Sequence, residues 1–296
     1  MWTEIDAHIT QMTGKKFHSE QRQSVSGGCI NQGYKVASGD CAYFVKVNQA
    51  SMVEMFEAEA LGLQQMLETK TIRVPKPICW GTASSSAYLV LEWLELGRGD
   101  TKSWEELGRK LAAMHKSTPN PPFLKGGTKA VFGWDRNNTI GSTPQINTWT
   151  EEWAEFWAKH RLGYQFQLAL RRGGNFPAKE RLLAAIPELL ADYHPLPSLV
   201  HGDLWGGNAG FTTRGEPAIF DPAAHYGDRE VDIAMTELFG GFPPAFYSGY
   251  NNVFPLDSGY EQRKTLYNLY HILNHFNLFG GGYASQANRM IQQILG

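Results

Sequence analysis

The stretch LVHGDLWGGNAGF, residues 199–211, sets a carboxylate, Asp203, five positions before an amide, Asn208, in a glycine-loosened turn between apolar flanks. A second carboxylate, Asp221, follows one predicted hairpin later. Two carboxylates and an amide form a small set of oxygen ligands that suits Mg²⁺, an ion that keeps waters and is usually completed by substrate phosphates. The order also matches phosphoryl transfer. In that chemistry an aspartate accepts a hydroxyl proton, an asparagine five positions on holds metal, and a later aspartate holds metal bridging the phosphates. Asp203 is therefore the candidate base, and Asn208 and Asp221 are the candidate metal ligands. A lone His-Gly-Asp turn is most often only a structured loop, so the rest of the chain must supply the other parts.

Those parts occur in the required order. The run AYFVKV places Lys46 in a β-prone segment, and FEAEAL places Glu57 and Glu59 on the next helix, as needed for an ion pair that positions a lysine on ATP phosphates. A strand lysine is ordinarily solvated, and glutamates early in a helix ordinarily just favour its dipole; the succession carries the argument, not either residue alone. Glu59 is preferred because it lies deeper in the helix. Upstream, SVSGGCINQGYKV offers a glycine-rich turn containing Gly27, Gly28, Cys29 and Asn31, whose backbone N–H groups can approach phosphate. It is neither a GxxxxGK[ST] loop nor a GxGxxG fingerprint. The segment LVLEWLEL sits where a hinge belongs, so the backbone of Glu92, Trp93 and Leu94 is the candidate partner of adenine. ATP and Mg²⁺ are the expected cofactors.

The elements that must hold these residues change character near residue 95. Before it, GYKVAS, CAYFVKVN and SAYLVLEWL read as strands interrupted by the helix MVEMFEAEALGLQQMLE. After it, TKSWEELGRKLAAMHKS, TEEWAEFWAKHRLGYQFQLALRR, PAKERLLAAIPELLADY and DSGYEQRKTLYNLYHILNHFNLF read as helices, with LVHGD, AGF and PAIFD as short strands around the turn. The fold class is α+β and bilobal. Residues 1–94 form a small β-rich nucleotide lobe, and residues 95–296 form a larger, mainly helical catalytic and substrate lobe, with LELGRGD as connector.

Composition narrows the partners. Twenty-seven basic and twenty-nine acidic side chains leave a net charge of −2 with no run of like charge, which argues against nucleic acid or an anionic membrane as an obligate partner. Apolar runs are short, and MWTEIDAHITQM is amphipathic, unlike a secretory signal, so a soluble cytoplasmic protein is expected. Cys29, Cys41 and Cys79 lie far apart and form no CxxC pair, which excludes a disulfide framework or zinc knuckle.

The motifs together resemble the fructosamine kinase (ketosamine-3-kinase) family, a branch of the protein-kinase-like fold that includes aminoglycoside phosphotransferases. The matching stretches are GGCIN, FVKVN, MFEAEALGL, VPKPI, FGWDRNNTIGSTPQINTW, HGDLWGGN, FDPAAHYGDREVDIAMTELFGGF and YNLYHILNHFNLFG, and they span nearly the whole chain. The tryptophan after HGDL and the FGW…IG.TPQ.N.W block are more specific than the aspartate that the wider superfamily shares. Gly206 and Gly207 depart from a common Ser-Gly pair, which removes a hydroxyl but no ligand. The resemblance implies ATP-dependent phosphorylation of the 3-hydroxyl of a ketosamine, free or on a glycated lysine, and hence deglycation as protein repair. Another hydroxylated amine of the aminoglycoside, choline or homoserine type is the alternative acceptor, and a nucleotide-binding pseudoenzyme is the alternative class.

Further features bear on the acceptor and on control. Eight residues separate Asp221 from Glu230, which leaves no room for a long activation segment and disfavours a protein kinase. Trp149, Trp153 and Trp157 at spacing four read as helical core, whereas Trp205, beside Asp203, is the candidate sugar contact. His271 and His275 have metal-like spacing but no third ligand, so packing is expected. Asp232 is expected to hold the catalytic loop's backbone. Cys29, in the glycine-rich loop, is a candidate redox switch, and a monomer or a weak homodimer with a redox link through Cys29 is the expected assembly.

Overall fold

In the computed structural model, residues 1–25, 30–117 and 131–296 are described. Gly27, Gly28 and Cys29 lie outside them. Helix α1 (Trp2–Thr13) precedes strands β1 (Gln21–Val25), β2 (Gln32–Ser38) and β3 (Cys41–Gln49), then helix α2 (Val53–Glu68) and strands β4 (Pro77–Ala83) and β5 (Ser86–Glu92). The five strands form one antiparallel sheet in the order β1-β2-β3-β5-β4.

Successive strand residues face opposite sides of a sheet, and this sheet uses both sides. Val45, Val47, Tyr88 and Val90 bury one face against Ile5 and Ile9 of α1. Ala87, Leu89 and Leu91 bury the other, in the same core as Phe56 and Leu63 of α2. Lys46 falls between Val45 and Val47 and opposite Leu89, so the alternation turns it toward α2. The second core continues into the C-terminal part through Leu107, Leu111 and Phe246.

The C-terminal part is mainly helical. It contains β6 (Leu96–Gly97), α3 (Thr101–Lys116), the hairpin β7 (Asn138–Ile140) and β8 (Thr143–Gln145), α4 (Trp153–Phe156), α5 (Tyr164–Arg171) and α6 (Lys179–Leu189). Strands β9 (Ser198–Val200), β10 (Ala209–Thr212), β11 (Pro217–Ile219) and β12 (His225–Gly227) follow, then α7 (Glu230–Leu238), α8 (Pro244–Val253), α9 (Tyr260–Phe279) and α10 (Tyr283–Leu295). Helix α3 is started by the Asp100 carboxylate, which accepts from Ser103 N at 2.8 Å. It meets α8 where glycines let the backbones touch: a Cβ on Gly108 would sit 2.0 Å from Phe246 O.

Several elements depart from the sequence expectation. The N-terminal segment is a packed helix, and β1, β4, the β7–β8 hairpin, β12, α8 and α10 are additional. The long run from Thr150 to Arg172 is not one α-helix: α4 and α5 flank a π-helical segment, Trp157–Gly163. Trp149 precedes this helix and lies against Tyr226, while Trp153 and Trp157 are buried in the core. The connector LELGRGD is structured, because β6 pairs with β10. His271 is buried beside the Tyr270 ring, its carbonyl accepts from His275 Nδ1 at 2.8 Å, and His275 packs among Phe239, Phe279 and Tyr283. Among the described residues, no helix is long and apolar enough to cross a membrane.

Candidate functional site

Strand β9 delivers the chain into the turn that carries Asp203. Gly202 at the entrance has φ 79°, and a Cβ there would lie 2.3 Å from Ala223 O, so no other residue fits. Asp232, near the start of α7 and fully buried, clamps the turn: its two oxygens accept from His201 N and Gly202 N, both at 2.7 Å. His115 Nε2 donates to the same carboxylate at 3.0 Å. Burial disfavours charge on Asp232, but the bonds from His115 and the charge interactions outweigh it, and the carboxyl is held below its ordinary range.

His201 joins this turn to the next strand. Its Nε2 donates to Phe220 O at 2.9 Å and its Nδ1 accepts from Asp203 N at 3.2 Å. Burial lowers its pKa, consistent with the neutral tautomer that these two bonds require. The Asn208 amide N–H group donates to Asp203 O at 2.9 Å and to Asp203 Oδ2 at 3.2 Å, which leaves its amide oxygen as the atom able to bind a cation. Burial and the neighbouring Asp221 carboxylate raise the Asp203 pKa to about 7. A general base is most effective with a pKa near the working pH.

The β10–β11 hairpin leads to Asp221, whose backbone is left-handed at φ 59°. Such a conformation costs a non-glycine residue on the order of 1–3 kcal/mol and persists only where its surroundings impose it. Asp221 is ion-paired with Lys46 Nζ, which also donates to Glu59 Oε1 at 2.7 Å. Burial works against charge on Lys46, but its two carboxylate partners prevail and its pKa rises. Burial raises Glu59 to about 7, against the pull of Lys46. Glu57 points elsewhere, toward Arg136 at 3.3 Å.

The other sequence candidates are placed as follows. Glu92 ends β5; its N–H is committed to Lys76 O at 2.8 Å and its carboxylate to Arg73, so among the three hinge residues only Trp93 and Leu94 keep main-chain N–H groups without a described partner of this kind. The Trp93 indole turns outward, donating to Glu95 at 2.6 Å beneath Lys35. Asn31 Oδ1 accepts from Asn48 Nδ2 at 2.7 Å, which pins the end of the glycine-rich segment to β3. Trp205 is 39% exposed, and its ring covers Gly207, where a Cβ would lie 2.3 Å away. Cys41 is exposed and Cys79 buried, both free.

The oxygen donors fit Mg²⁺. Asp221 supplies an accessible carboxylate and Asn208 an amide oxygen, while among the described residues no group of three or more His, Cys, Asp or Glu is arranged to hold a metal alone. A cation here would depend on phosphate oxygens to complete its shell, as Mg²⁺ usually does. His201, Gly202 and His115 were not singled out from sequence. The HGD and AMH stretches contain them, but only the bonds to Asp232 reveal what they do.

Comparison with known proteins gives the same direction. A Synechocystis sp. protein named as a probable ketoamine kinase is 58% identical over 294 residues, 99% of this chain and 97% of its own. A chloroplastic protein-ribulosamine 3-kinase of Arabidopsis thaliana is 43% identical over 99% of this chain and 86% of its own. A crystal structure from Haemophilus somnus 129PT, assigned as a fructosamine-3-kinase, superposes with a TM-score of 0.91 at 30% identity over 100% of this chain and 98% of that one. An aminoglycoside phosphotransferase shares the fold, with a TM-score of 0.63 at 13% identity over 100% and 98% of the two chains. The fructosamine kinase family model matches residues 1–296, and the chain belongs to that family.

Proposed function

We propose that this protein transfers the γ-phosphoryl group of ATP to the 3-hydroxyl of a ketosamine. The observation that carries the reading is the contact of Lys46, from the N-terminal sheet, with both Glu59 and Asp221, the latter beyond the turn that holds Asp203. In this scheme residues 1–94 hold the nucleotide and residues 95–296 the acceptor. Glu59 holds Lys46 on the ATP phosphates, the Glu92–Leu94 backbone meets adenine, and Gly27, Gly28, Cys29 and Asn31 are the candidates for contact with the phosphates. Asn208 and Asp221 would hold Mg²⁺, which would neutralise charge on the phosphates. Asp203 accepts the proton of the attacking hydroxyl, and the exposed Trp205 ring offers a face to the sugar.

The product is prepared for its own breakdown. Phosphate on C3, next to the C2 carbonyl, is a good leaving group: loss of a C1 proton and expulsion of phosphate from C3 give an unsaturated adduct. Hydrolysis of that adduct with water frees the amine. ATP turnover measured with glucose- and ribose-derived lysine adducts, free and on protein, tests the reading, with an aminoglycoside, choline and homoserine as competing acceptors. Turnover with one of the competitors and none with the adducts would replace it.

Control through Cys29 belongs to the same proposal. Oxidation of that thiol, in one protomer or bridging two, would distort the phosphate loop. Peroxide followed by dithiothreitol should suppress and restore activity in the wild type but not in Cys29→Ala; equal responses dismiss it. The cytoplasm is the compartment assigned, to be checked by cell fractionation.

A further inference from the structure

Three amides of the FGW…IG.TPQ.N.W block, Asn138, Gln145 and Asn147, are nine-tenths or more buried. None hydrogen-bonds Asp203, Asn208 or Lys46 among the described contacts, and the phosphoryl-transfer scheme leaves them without a role. Their bonds form a chain with a direction. Tyr270 O–H donates to Gln145 Oε1 at 2.7 Å; Gln145 Nε2 donates to Asn138 Oδ1 at 2.8 Å and to Ala223 O at 3.1 Å. Asn138 Nδ2 donates to Ala224 O at 2.8 Å. From the other side, Arg161 donates to Asn147 Oδ1 at 2.8 Å, and Asn147 Nδ2 donates to Asn138 Oδ1 at 2.8 Å.

Every amide orientation is fixed by its neighbours, because reversing one would set N–H against N–H or oxygen against oxygen. The chain ends on the carbonyls of Ala223 and Ala224, two and three residues after Asp221. Those residues also meet the catalytic turn: Ala223 N donates to His201 O at 2.8 Å, and Ala223 O fills the space that a Cβ on Gly202 would need. The strained left-handed backbone at Asp221 needs surroundings that over-determine it. The Tyr270 and Arg161 ends of the chain are anchored in the helical core.

We propose that Asn138 and Gln145 are positioning residues: through the carbonyls of Ala224 and Ala223 they hold Asp221 in register with Asp203, and so set where the nucleotide's metal lies relative to the base. The proposal rests on the reading of Asp221 as a metal ligand. Buried amides that merely stabilise the fold would affect melting but not the linkage between metal and nucleotide. Amides that aim Asp221 affect that linkage in the folded protein.

The test uses full-length protein and a fluorescent N-methylanthraniloyl ATP, with affinity measured in Mg²⁺ and in EDTA and melting followed in parallel. Gln145→Glu keeps the shape but has no N–H to offer, so Ala223 O and Asn138 Oδ1 each face an oxygen. The expected result is loss of at least about tenfold of the Mg²⁺-dependent tightening, with the EDTA affinity within about twofold of wild type. If Gln145→Glu does not fold, Tyr270→Phe, which removes only the O–H that orients Gln145, decides in its place with an expected loss of at least about threefold. Asp221→Asn is the reference. If it retains the tightening, the metal assignment falls and the proposal with it. If it loses the tightening while the deciding variant, folded, keeps the wild-type value, the metal assignment stands and the proposal alone is overturned.

Discussion

Asp232→Asn perturbs the turn that carries Asp203 without touching Asp203. The wild-type carboxylate takes three donors, His201 N, Gly202 N and His115 Nε2, on two oxygens in a fully buried site. An amide has one oxygen, so at least one buried N–H is left facing an NH₂ group, at a cost of about 1–3 kcal/mol. The remaining bonds lose their charge assistance, each falling from about 1.5–3 to about 0.5–1.5 kcal/mol. A total of about 3–5 kcal/mol follows, the range found when one member of a buried charged pair is removed. For a domain of this size that lowers Tm by on the order of 10 °C. The turn would also shift, and an error of about 1 Å in a catalytic group costs roughly 10²-fold in kcat. The pH dependence has a definite sign. The Asp232 carboxyl is held below its unfolded pKa, so its contribution is fully present above about pH 4 and is lost as pH falls through the lowered value. The gap in Tm between wild type and variant should therefore be flat from pH 5 to 8 and close in acid. Calorimetric melting across that range, together with steady-state kinetics at pH 7, checks it. A variant that melts within about 2 °C of wild type and turns over at the same rate would refute the clamp.

Asp203→Asn should lower kcat by on the order of 10²–10⁴ with little change in ATP affinity; a loss of less than about threefold removes the base assignment. Glu59→Gln should lower kcat/KM for ATP by roughly tenfold or more, since Glu59 lies 2.7 Å from Lys46 Nζ, while Glu57→Gln, whose partner is Arg136, should stay within about twofold. Equal effects of the two would undo the choice between them. Trp205→Ala should raise the KM for ketosamine while leaving Tm nearly unchanged, because the ring is 39% exposed, whereas truncating a buried tryptophan costs roughly 3–5 kcal/mol. Unchanged KM with a large fall in Tm would make the ring structural.

How much was legible depended on where the information lies. Lys46 and Glu59 could be paired from sequence because a strand lysine, a helix glutamate, Asp203, Asn208 and Asp221 follow in the order that phosphoryl transfer requires, and the structure brings the pair to 2.7 Å. The hairpin between Asn208 and Asp221 was likewise visible in AGF and PAIF. Strand β1 was not, because QRQSV is an exposed edge with no apolar alternation. Strand β4 begins with proline and carries a glycine, both poor strand signals. Trp149 fell at the spacing of a helix that begins only at Trp153. The amides of the FGW block lie in a stretch rich in Asn, Thr, Gly and Pro that reads as loop. Their burial comes from Ala223, Ala224, Arg161 and Tyr270, all at least fourteen positions away along the chain.

The segment after Asp221 shows why this site suits a small acceptor. Within eight residues the chain passes from Asp221 to α7, and it is bound on both sides along the way. Strand β12 pairs with β9, directly upstream of the catalytic turn. Gly133 and Tyr226 exchange main-chain bonds at 2.9 and 2.8 Å. Ala223 is tied to His201, and His225 Nδ1 lies 3.1 Å from Ala223 O. Kinases that act on proteins regulate and recognise their targets through a long segment at this position, which orders only when switched on. Here that length is absent and the backbone is already committed, so the geometry around Asp203 and Asp221 does not depend on an ordering event. In the proposed reaction, recognition of the acceptor falls to groups at the mouth of the turn, where the exposed Trp205 stands two residues from Asp203, the candidate base.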